Sequence, residues 1–328
     1  MTPAGSRRSD VDRVGTRQDV LAGDRLGARV AAVVVDYDSG PVLAACVTSL
    51  VAQSVAQVVV VDNGAPTAVL TEQSAPGVAP ARQVRVVRTG ANLGYGAGAN
   101  RGVAAAPGAD VVLVMNPDVE LHPGAVDALV RAIDADPAVA VVGPRVLEAD
   151  GSRYPSARRF PSPGDALAHA LVGRVWPDNR FSRRYRMADL GTDRAVAVDW
   201  VSGACFAVRR RAWEELGGFD EAYFMYAEDM DLCWRARQAG WDVVYDPSAT
   251  VTHLQGVSTR RRPYAMLAAH HRSALRFTWR TQVGWRRLLV PGGAAVLAAR
   301  MVAETARLAL GAAPRRRAVR GVPPQRLG

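Results

Sequence analysis

Apolar, largely β-branched runs of strand length recur through the first half of the chain, at 29–37, 58–62, 84–88, 110–116 and 139–142. Helical stretches separate most of them: 41–52 follows the first run, 98–106 the third and 123–135 the fourth. The last opens on Pro123, in the first helical turn, where proline is tolerated. Strands and helices in alternation predict an α/β fold, a mainly parallel sheet flanked by helices.

Beyond Pro144 the alternation loosens into a stretch rich in Arg, Pro, Ser and aromatic residues over 153–186, expected to carry an acceptor-side lid. Strand character returns at 198–209, and helical runs at 210–217 and 230–239 bracket an acidic motif. Late strands are expected at 241–246 and 249–253, a helix over 260–279, and a disordered tail from about Arg315. No internal repeat is present.

Polar residues cluster where the strands end. Asp36, Asp62 and Asp118 fall at the carboxyl ends of three expected strands, the edge at which open α/β sheets bind ligands. Taken alone, Asp62 is equally a turn or capping acid. The segment Asn92-Leu-Gly-Tyr-Gly-Ala-Gly-Ala-Asn100 has the glycine density that lets backbone approach a phosphate at a helix start. It follows the third strand and lacks a ribose-binding acid at the expected distance, which separates it from a dinucleotide fingerprint. Asn116-Pro-Asp118 is either a strand-ending turn or a cation site. Glu228, Asp229 and Asp231 are either the acidic first turn of a helix, with Asp231 paired to Arg235, or an acid/base constellation. His253 ends a strand and is either structural or a ligand.

In this order and spacing, the motifs from about 28 to 280 resemble the family 2 inverting glycosyltransferases with a GT-A fold. The likeness extends to the branch of actinobacterial rhamnosyltransferases acting on polyprenyl-diphosphate-linked N-acetylglucosamine. The resemblance implies that Asp62 binds the donor base with the loop from Asp36 beside it, although the family more often has asparagine where Asp36 and Asp38 stand. It implies a donor-binding role for Asn92, Gly94, Asn100 and Asn116. Asn116-Pro-Asp118 stands where many relatives carry Asp-x-Asp, so Asp118 and His253 would hold a divalent metal, Mg2+ or Mn2+, and Gly256 and Ser258 would shape the loop closing over the diphosphate. Asp229 would be the general base, with Glu228 beside it; Asp231 and Trp200 would meet the acceptor. The implied reaction moves L-rhamnose from dTDP-L-rhamnose to a polyprenyl-diphosphate-linked N-acetylglucosamine in cell-wall polysaccharide synthesis. The alternatives are galactofuranosyl transfer from a UDP donor and a catalytically silent nucleotide-sugar-binding protein.

Charge adds a partner to this picture. The formal net charge of +10 comes from arginine alone, since the chain has no lysine. The arginines suit a diphosphate substrate or an anionic membrane surface. They lack aromatic partners at regular spacing, which argues against nucleic acid. An apolar tract at 288–310 is interrupted by Arg300, Glu304 and Arg307. It reads as an interfacial helix or as a helix packed on the catalytic domain, not as a membrane span. The polar first 27 residues have no signal-peptide core, so the expected place is cytoplasmic, peripheral at the inner face of the plasma membrane. Cys46, Cys205 and Cys233 are isolated and expected as buried thiols. The expected organisation is a disordered basic segment over 1–27, a GT-A domain over 28–280 with a donor half at 28–145 and an acceptor half at 146–280, and a basic helical and disordered tail over 281–328.

Overall fold

A computed structural model of the protein describes residues 26–53, 55–64, 84–160, 187, 194–254 and 263–309. The basic N-terminal segment, most of the lid stretch, Gly256, Ser258, Arg260 to Arg262 and the tail beyond 309 lie outside the described residues.

In chain order the elements are β1 (Val30–Asp36), α1 (Val42–Ala52), β2 (Gln57–Asp62), β3 (Val84–Arg88), α2 (Tyr95–Ala104), β4 (Val111–Met115), β5 (Val119–Leu121) and α3 (Ala125–Asp134). They continue with β6 (Val139–Glu148), β7 (Arg153–Tyr154), β8 (Ala157–Arg158), β9 (Val196–Ala197), β10 (Trp200–Val201), β11 (Cys205–Arg209), α4 (Arg210–Leu216) and α5 (Glu228–Gln238). The long β12 (Asp242–His253) leads to α6 (Pro263–Thr281), a 3-10 turn at Gly284–Leu289 and α7 (Val290–Ala309).

The main sheet runs β3-β2-β1-β4-β11-β6-β12-β5. Its first four strands are parallel, and β6 and β12 are parallel to each other. β11 runs antiparallel between β4 and β6, and β5 runs antiparallel to β12 at the far edge. The expected α/β fold is therefore found, with one inverted strand in mid-sheet.

Period-two geometry sends neighbouring side chains of β1 to opposite faces. Val30, Ala32 and Val34 pack with Leu43, Cys46 and Leu50 of α1 and Leu129 and Ile133 of α3. Ala31, Val33 and Val35 pack with Val103 of α2, Trp213 of α4 and Leu232 of α5. β1 is buried along its whole length, which is why its sequence reads as an unbroken apolar run.

Several boundaries differ from the sequence reading. Pro123 lies ahead of α3, and Gly124 with φ 79° stands at its N-cap, so the helix begins at Ala125. β6 runs through Pro144 to Glu148 and turns back onto β7. The two late strands are one, β12, irregular between Asp246 and Thr250, where Pro247 has no N–H to give to a ladder. The strand expected at 198–209 breaks into β10 and β11 around a turn at Ser202 to Ala204. The helix expected from 230 begins at Glu228.

Adjacent arginines at the β11–α4 junction serve opposite faces of the sheet. Arg209 donates from Nε to Val139 O at 3.0 Å and from Nη2 to Ile133 O and Asp136 O, closing the carbonyl end of α3. Arg210 donates from Nε to Ala109 O at 3.0 Å and from Nη2 to Ala106 O, closing the end of α2. Cations suit helix carboxyl ends. Part of the arginine excess is thus structural and not available to an anionic partner. Replacing either one with methionine strands buried carbonyls and should lower stability by roughly 1–3 kcal/mol, measured as a shift of the urea midpoint at unchanged m-value.

Candidate active site

The parallel register sets Asp36 beside Asp62 at the ends of β1 and β2. Asp36 is buried and accepts from Ser39 N at 3.2 Å, and burial pushes its carboxyl above the ordinary value. Asp62 accepts from Gly64 N at 3.3 Å, and Arg88 Nε stands 4.0 Å from its other oxygen.

The next residue organises the glycine-rich loop. Buried Asn63 donates from Nδ2 to Gly94 O at 2.9 Å and to Asn92 Oδ1 at 3.3 Å, and its Oδ1 accepts from Leu93 N at 3.0 Å. Sequence reasoning gave Asn63 no role of its own; the signal was its place directly after a strand-end acid. Asn92 is engaged in the same turn, its Oδ1 accepting from Gly94 N at 2.9 Å. Gly94 adopts φ 87°, and a Cβ there would lie 2.2 Å from Phe224 O. Its tight neighbour is the chain ahead of α5, to which Tyr95 N also donates at 2.9 Å. Asn100 faces another way: its Nδ2 donates to Phe219 O and Glu221 Oε1, both at 3.0 Å, and its Oδ1 accepts from Phe219 N at 2.9 Å. That side chain fastens α2 to the chain between α4 and α5.

Pairing of His253 with Val119 in the β12–β5 ladder closes a separation of well over a hundred residues and brings the histidine to Asp118. His253 Nε2 lies 3.1 Å from Asp118 Oδ1 and 3.4 Å from Asn116 Nδ2. Its Nδ1 is buried with no hydrogen-bond partner among the described residues. Those residues include no group of three His, Cys, Asp or Glu side chains that could hold a metal, so the set is one imidazole, one carboxylate and one amide.

Asp229 stands in the first turn of α5. Its Oδ2 accepts from Gly203 N at 2.7 Å and its Oδ1 from Met230 N at 2.7 Å. Burial raises its pKa, while the two backbone N–H groups and the Arg158 charge pull it back down. Glu228 is buried beside it, with Oε2 unpartnered among the described residues. Burial, and then the charge of Asp229, push its carboxyl from 4.5 up to about 8. Tyr226 and Ala227, immediately before the helix, both have left-handed backbone, φ 68° and 64°. Such geometry costs on the order of 1–2 kcal/mol per non-glycine residue. It is held by Ser273 Oγ of α6 donating to Met225 O at 2.9 Å and by Asp231 N donating to Ala227 O at 2.9 Å.

Two residues expected at the acceptor are otherwise committed. Asp231 is fully buried: Arg235 Nε stands 2.7 Å from its Oδ2, and Arg280 Nε stands 3.4 Å and Tyr223 Oη 3.4 Å from its Oδ1. The pair expected between Asp231 and Arg235 is formed, and this carboxylate has no exposed face to offer an acceptor. Trp200 is buried in β10, donates from Nε1 to Arg159 O at 3.1 Å and has the Arg158 guanidinium 4.9 Å from its ring centroid. One face of its ring is thus occupied by a cation.

A mixed α/β sheet with acids at the carboxyl ends of its parallel strands, and a carboxylate pair opening α5, defines a nucleotide-diphospho-sugar transferase of GT-A type. Residues 28–276 match the glycosyltransferase like family 2, and the chain belongs to that family: it is a glycosyltransferase. The N-acetylglucosaminyl-diphospho-decaprenol L-rhamnosyltransferase of Mycobacterium tuberculosis is 42% identical over 267 residues, 78% of this chain and 85% of that one. Rhamnosyltransferase WbbL of Escherichia coli is 25% identical over 198 residues, 58% of this chain and 72% of that one. Among solved structures, S. aureus TarS superposes with TM-score 0.51 at 14% identity, covering 85% of this chain and 73% of that one. GalNAc-T7, solved with UDP, GalNAc and Mn2+, superposes with TM-score 0.51 at 17% identity, covering 69% and 44%. At such identities these likenesses show the fold.

Two predictions follow from the carboxylates. A carboxyl whose folded pKa lies above its unfolded value stabilises the fold fully only below the unfolded value, and that contribution is lost as pH rises through the folded one. Glu228→Gln should therefore gain stability relative to the natural protein as pH climbs from 4.5 to about 8, with the gain vanishing at the acid end; parallel urea titrations across that window measure it. Asp231→Ala leaves the Arg235 guanidinium without its buried partner and should cost about 3–5 kcal/mol, read from the same titrations.

Proposed function

We propose that this glycosyltransferase moves L-rhamnose from dTDP-L-rhamnose to a polyprenyl-diphosphate-linked N-acetylglucosamine with inversion at the anomeric carbon. The observation that carries the reaction type is the Asp229 carboxylate, half-buried beside buried Glu228 and fixed by Gly203 N at 2.7 Å. The printed activity of the Mycobacterium tuberculosis relative supports the sugar and the acceptor.

In this reading Asp229 takes the proton of the acceptor hydroxyl as that oxygen bonds to the anomeric carbon. The bond from that carbon to the donor diphosphate breaks in line, and the nucleoside diphosphate leaves. Burial makes Asp229 more basic than an ordinary carboxylate, and the two N–H groups hold its orientation. A protonated Glu228 leaves one negative charge in the pair, so the base is ionised beside a neutral neighbour. Asp36 and Asp62 would receive the donor base and ribose, with the Asn92–Gly94 turn at their side.

The donor set fits a hard divalent cation. The Asp118 carboxylate, the neutral Nε2 of His253 and the Asn116 amide, flipped to present its oxygen, would hold Mg2+ or Mn2+ with positions left for phosphate oxygens. Bound there, the ion would supply charge stabilisation to the departing diphosphate. The lipid of such an acceptor would keep the enzyme at the inner face of the membrane.

Calorimetric titration of thymidine and uridine diphosphate sugars, with and without manganese, tests the reading. The expected result is metal-dependent binding of dTDP-L-rhamnose, weakened at least about tenfold in His253→Ala. Preference for a uridine donor would favour galactofuranosyl transfer, and no binding of either would overturn the proposal.

A further inference from the structure

Among the described residues no helix is long and apolar enough to cross a membrane. Yet the bend between α6 and α7 leaves large apolar side chains uncovered. Trp279 is 57% exposed, Val283 68%, Trp285 68% and Leu288 80%, all within ten residues. In a 3-10 turn, positions three apart eclipse one another, so Trp285 and Leu288 share one face. Exposed Arg287 places its guanidinium 5.8 Å from the Trp279 ring centroid, joining the end of α6 to this turn. The bend thus combines two exposed indoles, two aliphatic side chains and an arginine.

We propose that this bend is the membrane-docking tip of the enzyme, its indoles and Leu288 entering the interfacial region of an anionic lipid surface while Arg287 meets the headgroups. Three features favour lipid over a protein partner. Tryptophan settles at the boundary between headgroups and acyl chains, where its ring is apolar and its N–H is wet. A short apolar tip flanked by arginine, on a chain of net charge +10, matches an anionic surface in sign. The exposed residues also belong to one continuous stretch at the turn between α6 and α7.

The tip is bonded to the catalytic helix. Next to Trp279, Arg280 donates from Nη1 to Asp220 Oδ2 at 2.6 Å and stands 3.4 Å from Asp231 Oδ1 with its Nε. Asp231 lies two residues beyond Asp229 on α5. Phe277, buried on the inner face of α6, packs 6.1 Å from Phe160, and Ser273 holds the backbone ahead of Glu228. Docking the tip therefore fixes the height of the base above the lipid surface. That constraint suits the proposed acceptor, whose diphosphate cannot leave the interface, and this part of the inference rests on the functional reading above.

The test uses the full chain and sedimentation with vesicles of phosphatidylcholine alone or mixed in equal parts with phosphatidylglycerol. The natural protein should partition onto the mixed vesicles with a blue shift of indole emission. Trp285→Ser combined with Leu288→Ser should lower that partition about tenfold or more, and Arg287→Glu should lower it chiefly on the anionic vesicles. These side chains are exposed, so thermal melting should be unchanged. Transfer to a water-soluble short-chain acceptor should survive in the double variant, while transfer to acceptor embedded in vesicles falls. Equal vesicle binding by natural protein and double variant overturns the proposal. So does a fall in solution mass from dimer to monomer in that variant, which would make the bend a self-association face. Absence of transfer to any acceptor, with the binding difference intact, would sink the functional reading and leave the docking tip standing.

Discussion

One backbone N–H holds the site together. Gly203 donates it to Asp229 at 2.7 Å, and the carbonyl of the same residue accepts from Tyr95 Oη at 2.8 Å. Ala204 O accepts from Asn116 N at 2.8 Å, and Ser202 N donates to Ser156 O at 2.8 Å. A single three-residue turn thus touches the proposed base, the helix that follows the donor loop, and the amide of the Asn-Pro-Asp motif. A Cβ at 203 would lie 3.1 Å from the Asp229 Cβ, so a larger residue there would have to push the carboxylate side chain aside by a few tenths of an ångström. Gly203 and Ala204 are buried and Asp229 is half-buried, and the bond is charge-assisted, which strengthens it relative to a neutral pair.

The acidic pair is approached by strained chain, and that strain is held from outside the sheet. Two successive left-handed residues, Tyr226 and Ala227, aim Glu228 and Asp229 into the site. The conformation persists because α6 clamps it through Ser273, while Arg276 and Arg280 tie the same helix to Asp220 at 2.9 and 2.6 Å. Helix α6 is thus part of the catalytic body, in keeping with the family match reaching residue 276. Helix α6 therefore packs on the domain, and large apolar side chains stay exposed at the bend that follows it.

The sheet was legible in the sequence because its central strands are covered on both faces and need no polar positions, as β1 shows from Val30 to Asp36. Strand-end acids were legible for the same reason, since a polar residue ending an apolar run marks the carboxyl edge. What escaped was set by contacts between distant segments. The antiparallel insertion of β11 depends on pairing with β4 and β6, which no local pattern records. Asn63 looked like a neighbour of a functional acid and is the hub of the loop at 92–94. Asn100 and Asp231 had the residue types and spacing of ligand contacts, but their partners, Phe219 for one and Arg235 and Arg280 for the other, lie within the fold. Trp200, expected at the acceptor, is instead buried in the fold with Arg158 across its ring.

The central claim is that the carboxylate held by Gly203 is the base of glycosyl transfer, and Asp229→Asn tests it with the least change in shape. Single-turnover transfer from bound nucleotide sugar to acceptor should fall by roughly 10²–10⁴ while donor binding measured by calorimetry stays unchanged. Transfer at the natural rate in that variant would contradict the account and move the base to another group.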